Sequence, residues 1–120
     1  MQQINGITWF DCNCSIGFSK LPEDQPPCGA SDLREHMARC GISEALAWNI
    51  ASRNYDPMTG NEELNGMLEG FMNIRPMWVI IPGHAGDFYS PQDLPGEMRK
   101  HGVKAARVFP SAGCHNFSLR

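Results

Sequence analysis

The chain has 120 residues, with ten Lys or Arg and thirteen Asp or Glu, so its formal net charge is −3. That length fits one domain, because single domains most often have ~100–150 residues, and a hydrophobic fraction of 42% is enough for a packed core. The acidic balance argues against nucleic-acid binding, which needs a basic surface, and no apolar run approaches the ~20 residues that a membrane-spanning helix requires.

Short apolar runs alternate with loops and amphipathic stretches in the first half of the chain. Residues 7–12 are rich in aromatic and β-branched side chains and predict the first strand. A loop rich in Pro and Gly follows from Gly17 to Ala30. The first helix is predicted to have Ser31 as its N-cap and to end at Gly41. Residues 43–49 then predict a second strand, between this glycine and a polar loop.

The same alternation continues in the second half of the chain. An amphipathic stretch over residues 61–73 predicts a helix. The run Met77–Ile81 is apolar throughout, which is typical of a strand that is buried on both faces. Ser90 followed by Pro91 fits the N-cap and first residue of a third helix, and residues 103–109 predict the fourth strand.

The resulting order, β-α-β-α-β-α-β, predicts an α/β fold with parallel strands and right-handed crossovers. Two architectures fit it: a small open sheet with helices on both faces, or the first half of a (β/α)8 TIM barrel, which usually has ~250 residues. The sequence ends after the fourth strand without a helix to cover it, which favours the half-barrel. A half-barrel predicts the strand order 1-2-3-4, whereas an open sheet allows an order such as 2-1-3-4.

Polar residues stand where the predicted strands end, and in parallel α/β folds these carboxyl ends carry the functional site. The residues with this placement are Asp11, Asn13, Ser15, Asn49 and His84, and His115 lies farther along, beyond the fourth strand. Because alternate residues of a strand share a face, we expect Asp11, Asn13 and Ser15 to point to the inside of the barrel. By the same rule, Cys12 and Cys14 are expected to face the helices.

One charge and one histidine are further candidates for binding and catalysis. Arg107 lies between Ala106 and Val108 inside an apolar strand, and a buried charge needs a partner. The candidate partners are Asp11 and an anionic group of a substrate; the alternative is an arginine on an edge strand whose guanidinium reaches solvent. His84 is either a proton carrier or ligand or an ordinary loop residue.

The segment Phe10–Gly17 reads Phe-Asp-Cys-Asn-Cys-Ser-Ile-Gly. It resembles the opening motif of the amidohydrolase superfamily, Phe-Asp-x-His-x-His-x-Gly, at the end of strand one. Residues 37–42 and 102–110 are similar to the frame of those proteins before strand two and around strand four. The resemblance covers nearly the whole chain and implies that residues 1–120 form a single α/β domain, the N-terminal half of a larger barrel. It also implies a hydrolase or decarboxylase that acts on a small carboxylate or amide substrate.

In such a barrel, we expect Asp11 and His84 to be catalytic. The residues expected to bind the substrate are Asn13, Ser15, Asn49, Arg107 and His115. The resemblance also implies a divalent metal, but Asn13 and Ser15 stand where the family has two metal-binding histidines. Because an amide carbonyl and a hydroxyl are poorer zinc ligands than imidazole, we expect no stoichiometric zinc at these two residues. The alternative function is a non-catalytic binding or self-associating module descended from the same fold.

Five cysteines, an odd number, argue against a disulfide framework, and residues 1–6 show no sign of a signal peptide. We therefore expect reduced thiols in a cytoplasmic protein. The expected partners are a small-molecule substrate and either a second copy of the chain or the C-terminal half of the barrel. Neither nucleic acid nor a membrane is expected. Unpaired strands at the edges of a half-barrel predict association, because such edges are templates for further strands.

Overall fold

The structure is a computed structural model that describes residues 6–18, 28–81 and 88–110. Four strands and four helices follow one another along these residues. They are β1 (Trp9–Ile16), α1 (Ala30–Cys40), β2 (Ile42–Asn49), α2 (Ile50–Asn54), α3 (Pro57–Met67), β3 (Ile74–Val79), α4 (Leu94–Lys100) and β4 (Ala105–Arg107). No helix in this part of the chain is both long enough and apolar enough to cross a membrane.

The four strands pair in parallel in the order β1-β2-β3-β4, and the sheet curls into a half-barrel. The predicted α/β class is confirmed, and the sequential order is the one expected of a barrel sector rather than of an open sheet. Each crossover contains a helix, as parallel connections require. The carboxyl ends of the four strands therefore meet at one edge of the sheet.

The first helix begins earlier than predicted and ends where predicted. Its N-cap is Gly29 rather than Ser31, and the carboxylate of Asp32 accepts a hydrogen bond from the N–H of Gly29 at 2.9 Å. At the other end, Gly41 has a φ of 72°, which is the left-handed conformation that favours glycine after a helix. An acidic residue in the first turn thus moves the start of α1, while glycine determines its end.

Two helices lie between β2 and β3, where the sequence predicted one. α2 follows β2 directly, with Asn49 as its N-cap. α3 begins earlier than predicted because Asp56 caps it: its carboxylate accepts a hydrogen bond from the N–H of Thr59 at 2.9 Å. The two helices approach closely at Gly60, where a Cβ atom would lie 2.2 Å from Oγ of Ser52. Only glycine allows this contact.

The third predicted helix is shorter than expected. α4 begins at Leu94 instead of Pro91, because Pro95 has no N–H to donate and is tolerated only in the first turn. The strands also shift: β1 continues to Ile16, and β3 begins at Ile74. β4 covers only the middle of its predicted range. Element order and type therefore agree with the sequence, whereas the ends depend on local capping and pairing.

The two faces of the sheet bury different side chains. The outer face carries the helices and the larger apolar cluster, which includes Met37 of α1 and Leu64 of α3. The inner face, on the concave side, carries a smaller cluster that contains Trp48 of β2 with Met77 and Val79 of β3. Polar groups at the carboxyl ends of the strands therefore meet either helices or the inside of the half-barrel, depending on the face.

A bulge in β1 changes which of its side chains point inward. Asp11 pairs with Ala45 and Cys14 pairs with Ala47, so three steps along β1 match two steps along β2. Such a bulge shifts the alternation of side chains by one residue. Asp11 and Cys14 therefore share the outer face with the two alanines, which belong to the helix-covered cluster. The expected orientation of Cys14 is confirmed, but the expectation that Asp11 points inward is wrong.

Candidate functional site

Arg107 ends β4 on the inner face, where it pairs with Val79 at the end of β3. Its guanidinium carbon lies 4.1 Å from the ring centroid of Phe109 and 5.1 Å from that of Trp48. The two rings meet edge to face, with their centroids 4.9 Å apart. The carboxyl end of the inner face thus holds a cation that is stacked on an aromatic pair, an arrangement in which ring and charge attract each other.

Asn13 connects this cation to β1. Its side-chain oxygen accepts hydrogen bonds from Nε1 of Trp48 at 3.1 Å and from Nη1 of Arg107. One amide therefore joins three strands across the inner face. Two of the residues predicted to bind substrate, Asn13 and Arg107, are brought into direct contact although they lie far apart in sequence.

Arg53 is a member of this cluster that sequence reasoning missed. α2 places its guanidinium carbon 5.5 Å from the ring centroid of Trp48 and 5.9 Å from that of Phe109. A signal existed in the sequence, because Asn49 before Ile50 is a good N-cap and predicts a short helix directly after the strand. We call the set Asn13, Trp48, Arg53, Arg107 and Phe109 the arginine cluster.

The arginine cluster contains two guanidinium groups. Burial lowers the pKa of Arg107, and the nearby charge of Arg53 lowers it further. Within the described residues, no carboxylate lies at ion-pair distance from Arg107, and its Nε is buried without a hydrogen-bond partner. A partly desolvated guanidinium with no carboxylate partner among these residues favours the binding of an anion.

Asp11 lies on the outer face of β1 and forms hydrogen bonds with its own strand. Its Oδ1 accepts a hydrogen bond from the backbone N–H of Asn13 at 2.9 Å, across the bulge. Burial and a hydrogen bond with Asp11 raise the pKa of the Cys14 thiol to about 12. Asp11 is therefore not the partner of Arg107, since the bulge sends the two side chains to opposite faces. That partner is the neutral Asn13.

Ser15 and Asn49 differ in their placement. Ser15 pairs with Trp48 and is exposed on the inner face, as expected. Asn49 is only 1% exposed on the outer face. Its Nδ2 donates to the carbonyl of Gly60 at 2.9 Å, and its Oδ1 accepts from the N–H of Ala51 at 3.1 Å. The prediction of a substrate contact is therefore replaced by a structural role, since this amide joins β2 to both following helices.

Two predicted site residues, His84 and His115, lie outside the described residues. Their roles as proton carrier and substrate-binding residue stay predictions. Of the others, Asn13 and Arg107 belong to the arginine cluster, and Ser15 lies beside it on the same face.

The described residues at the end of β1 do not fit the divalent metal that the resemblance implies. The oxygen of Asn13 already accepts two hydrogen bonds, and the guanidinium groups of Arg53 and Arg107 repel a cation. Among residues 6–18, 28–81 and 88–110, no group of three or more His, Cys, Asp or Glu side chains is arranged to hold a metal ion. The donor chemistry of this end of the sheet suits an anion instead.

Comparison of the chain with protein-family models, with curated proteins and with solved structures finds no match. The resemblance to amidohydrolases therefore stays a prediction from the strand-one motif and its frame, and the function has to be argued from the arginine cluster.

Proposed function

We propose that the chain is the N-terminal half of an amidohydrolase-like barrel, a hydrolase or decarboxylase that acts on a small substrate with a carboxylate or an amide. The observation that carries this proposal is Arg107. It lies on the inner face at the carboxyl ends of the strands and has no carboxylate partner among the described residues. That edge is where barrel enzymes bind their substrates.

In this proposal, Arg107 binds and orients the carboxylate of the substrate. A guanidinium offers two parallel N–H donors that match the two oxygens of a carboxylate. One donor, Nη1, is held by Asn13, which limits the rotation of the group. The rings of Trp48 and Phe109 lie against it and shield it in part from water, and such shielding strengthens the interaction with an anion.

His84 keeps its proposed role as the residue that moves a proton, because it follows the end of β3. Asp11 changes from a catalytic residue to a positioning residue. Its bond to the N–H of Asn13 holds the bulge, and the bulge places the inward Asn13 on the face opposite the outward Asp11. Loss of the Asp11 carboxylate is therefore expected to affect substrate affinity through the orientation of Asn13.

A second candidate function is binding without catalysis. Asn13 and Ser15 replace the histidines of the family motif, and the oxygen of Asn13 is already engaged by two donors. A barrel that has lost the metal ligands of strand one but keeps a cationic cluster is suited to hold a carboxylate without hydrolysing an amide. This alternative predicts saturable binding with no product.

The experiment that tests the function compares the wild-type protein with Arg107→Met and Arg75→Met. Arg75 is the matched control, because it forms an ion pair with Glu44 at 3.1 Å, away from the carboxyl ends. A panel of small N-acyl amino acids and carboxylated amides is assayed for binding by calorimetry and for product by mass spectrometry. We expect turnover that Arg107→Met lowers by about 100-fold and Arg75→Met leaves unchanged. Binding without product supports the second candidate, and absence of both contradicts the proposal.

We also propose a cytoplasmic location. The cysteines at positions 12, 14, 28 and 40 are free thiols, and reduced cysteines are the rule in the cytosol. Fractionation of the source cells, with trapping of free thiols before lysis, tests this location.

In isolation, the 120-residue chain is proposed to associate with a second copy along β1; in a longer chain, the remaining strands of the barrel would take that place. β1 has a single strand neighbour in the described sheet, β2. Trp9 and Phe10 on this edge strand are 48% and 49% exposed, and unpaired apolar edges are templates for further strands. Sedimentation velocity should detect dimers or larger species. A compact monomer that does not bind an apolar dye contradicts the proposal.

A further inference from the structure

A groove crosses the amino end of the sheet, at the opposite end of the strands from the arginine cluster. Its volume of about 660 Å³ is typical of sites for small molecules. α1, the start of β2 and the loop before β3 form its walls. Its lining includes Arg34, Met37, Ala38, Ile42, Phe71 and Met72. We call this feature the amino-end groove.

Most side chains of the amino-end groove are apolar, and one of them is almost fully exposed. Met37 of α1 is 2% exposed and connects the groove to the larger apolar cluster. Met72, in the loop before β3, is 89% exposed. Because free energy is gained when apolar surface leaves water, the groove favours a ligand with an apolar part that covers Met72.

The uncharged polar side chains of the groove bond to the backbone of the chain itself. Oγ of Ser43 donates to the carbonyl of Trp9 at 2.9 Å, and Nδ2 of Asn73 donates to the carbonyl of Ser43 at 3.3 Å. Among the described residues that line the groove, the one charged side chain is that of Arg34. The charge of a ligand is therefore selected by this guanidinium.

A ring orients the guanidinium of Arg34. Its central carbon lies 4.8 Å from the ring centroid of Phe71, which joins α1 to the loop before β3 across the groove. Stacking of this kind engages the flat face of a guanidinium and leaves the N–H groups at its edge for hydrogen bonds. That edge matches the two oxygens of a carboxylate.

The acidic residues beside Arg34 on α1 have other partners. The carboxylate of Asp32 accepts a hydrogen bond from the N–H of Gly29 at 2.9 Å, and Glu35 forms an ion pair with Arg39 at 3.4 Å. Within the part of the chain that the structure describes, no carboxylate lies at ion-pair distance from Arg34. Charge complementarity therefore favours a ligand that places an anionic group beside its apolar part.

The length of the amino-end groove limits the length of that apolar part. The groove follows α1 from Arg34 to the C-cap at Gly41. Seven residues of α-helix are about 10 Å long. With bonds of about 1.5 Å, an extended chain of about eight carbons covers this distance.

We infer that the amino-end groove is a second binding site, for a small amphipathic carboxylate with an unbranched acyl chain. Arg34 binds the carboxylate, and the chain lies along α1 and covers Met72. The site is separate from the substrate site of the proposed function, because Arg34 and Arg107 lie at opposite ends of the sheet.

Calorimetry of the full chain with octanoate, acetate and 1-octanol tests this inference, at matched ionic strength and with octanoate kept below the concentration at which it forms micelles. We expect octanoate to bind with a Kd at least about tenfold lower than that of acetate, because its chain buries apolar surface. Arg34→Met removes one charged contact, so it should raise the octanoate Kd about tenfold. The Kd of the uncharged octanol should stay within about twofold.

Two further variants separate the charge from the apolar contact. Arg39→Met, on the same helix, removes a cation that Glu35 already neutralises, so it should leave the octanoate Kd within about twofold. Met72→Ser removes apolar surface from the groove, so it should raise the Kd of octanoate and of octanol alike, by about threefold. Circular dichroism of each ligand-free variant verifies the fold.

NMR of the methionine methyl groups shows where octanoate binds. The resonance of Met72, assigned from its loss in Met72→Ser, should shift on binding. That of Met77, which belongs to the apolar cluster of the inner face and is assigned with Met77→Leu, should stay in place. Arg107→Met should leave the octanoate Kd within about twofold.

Absence of octanoate binding, or an equal octanoate Kd for the wild-type protein and Arg34→Met, overturns the inference. A shift of Met77 together with weaker binding in Arg107→Met also overturns it, because octanoate then occupies the arginine cluster. These measurements are independent of turnover: a protein that binds octanoate as expected but gives no product contradicts the enzymatic proposal alone.

Discussion

Polar side chains on the outer and inner faces of the sheet differ in how completely they are hydrogen-bonded. On the outer face, Asn61 of α3 is 2% exposed, and its Nδ2 donates to the carbonyl of Val79 at 2.9 Å. Its Oδ1 accepts from the N–H of Val79 and from Oγ of Ser52, each at 3.1 Å. On the inner face, the buried Nε of Arg107 has no hydrogen-bond partner among the described residues, and a like charge lies nearby.

This difference separates groups that stabilise the fold from groups that are available to a ligand. A buried amide whose bonds are complete contributes to stability, and removing it leaves its partners unsatisfied. A desolvated cation without an anion contributes little to stability or opposes it. The inner face itself has two ends: Arg75 at the amino end has Glu44 as its partner, whereas Arg107 at the carboxyl end has none among the described carboxylates.

The largest expected effect is on the outer face. Asn61→Ala removes three hydrogen bonds and leaves the backbone of Val79 unsatisfied, so we expect a loss of about 3 kcal/mol in the free energy of unfolding. Asn65→Ala on the same helix is the control. Among the described residues, the Asn65 side chain forms one hydrogen bond, which its Oδ1 accepts from Nε1 of Trp78 at 3.4 Å. Urea denaturation measures both variants. Equal losses would contradict the special role of Asn61.

A carboxylate introduced on the inner face should give Arg107 an anionic partner, as Glu44 already is for Arg75 at the amino end. Asn13→Asp places a negative charge on the oxygen that accepts from Arg107, so we expect about 1–2 kcal/mol more stability and weaker binding of a carboxylate substrate. Ser15→Asp adds the same charge at the next inward position and should have the smaller effect on both. Urea denaturation and calorimetry provide the measurements. A destabilised Asn13→Asp protein that still binds a carboxylate substrate would show that the cluster does not recognise anions.

A smaller effect concerns Cys14, which burial and Asp11 keep protonated. Its pKa is about 12 in the folded chain, compared with an ordinary value of 9.0. Below pH 9 the thiol is protonated in both states, so its contribution to stability is complete. Between pH 9 and 12 the unfolded chain loses the proton first, and the contribution is lost as the pH rises.

Denaturation at several pH values between 8 and 11 measures this dependence. The free energy of unfolding of the wild-type protein should fall relative to that of Cys14→Ala as the pH rises above 9. Cys40→Ala, at an exposed position on α1, should follow the wild-type curve. Parallel curves for wild type and Cys14→Ala would mean that the thiol is not shielded on the outer face.

The smallest expected effect is at the amino end of the inner face. Arg75 and Glu44 are 54% and 41% exposed in their side chains, so a double-mutant cycle with Arg75→Met and Glu44→Gln should give a coupling of about 0.5 kcal/mol. This coupling should decline in 1 M salt because exposed charges are screened. A coupling several times larger would remove the contrast between the two ends, since Arg75 would then be as strongly held as a buried pair.

Much of the fold could be predicted because its signals are local. The alternation of apolar runs with amphipathic stretches predicted parallel strands and the order β1-β2-β3-β4, and Gly41 marked the end of α1. The start of α3 was missed although Asp56 before Pro57 is a sequence signal for a helix. The start of α4 depended on where Pro95 is tolerated, which is again a local property.

The candidate site was predicted in part. The sequence identified Asn13 as a polar residue at a strand end and Arg107 as a charge inside an apolar strand, and these two are in contact. It placed Asp11 on the wrong face, because a bulge depends on how β1 pairs with β2 and cannot be read from the alternation of β1 alone. It assigned Asn49 to a substrate, whereas that amide is used by α2 and α3.

By itself, the sequence determined the class of the fold and the residue types available at the strand ends, because hydrophobic periodicity and turn chemistry act over a few residues. Tertiary structure alone decided which of these residues meet. Arg53 reaches Trp48 and Phe109 only because α2 follows β2 and brings its guanidinium to the two rings, and Arg107 faces Asn13 only because the sheet curls. Both contacts join residues from separate elements, and their distances depend on strand register and curvature, which no local pattern encodes.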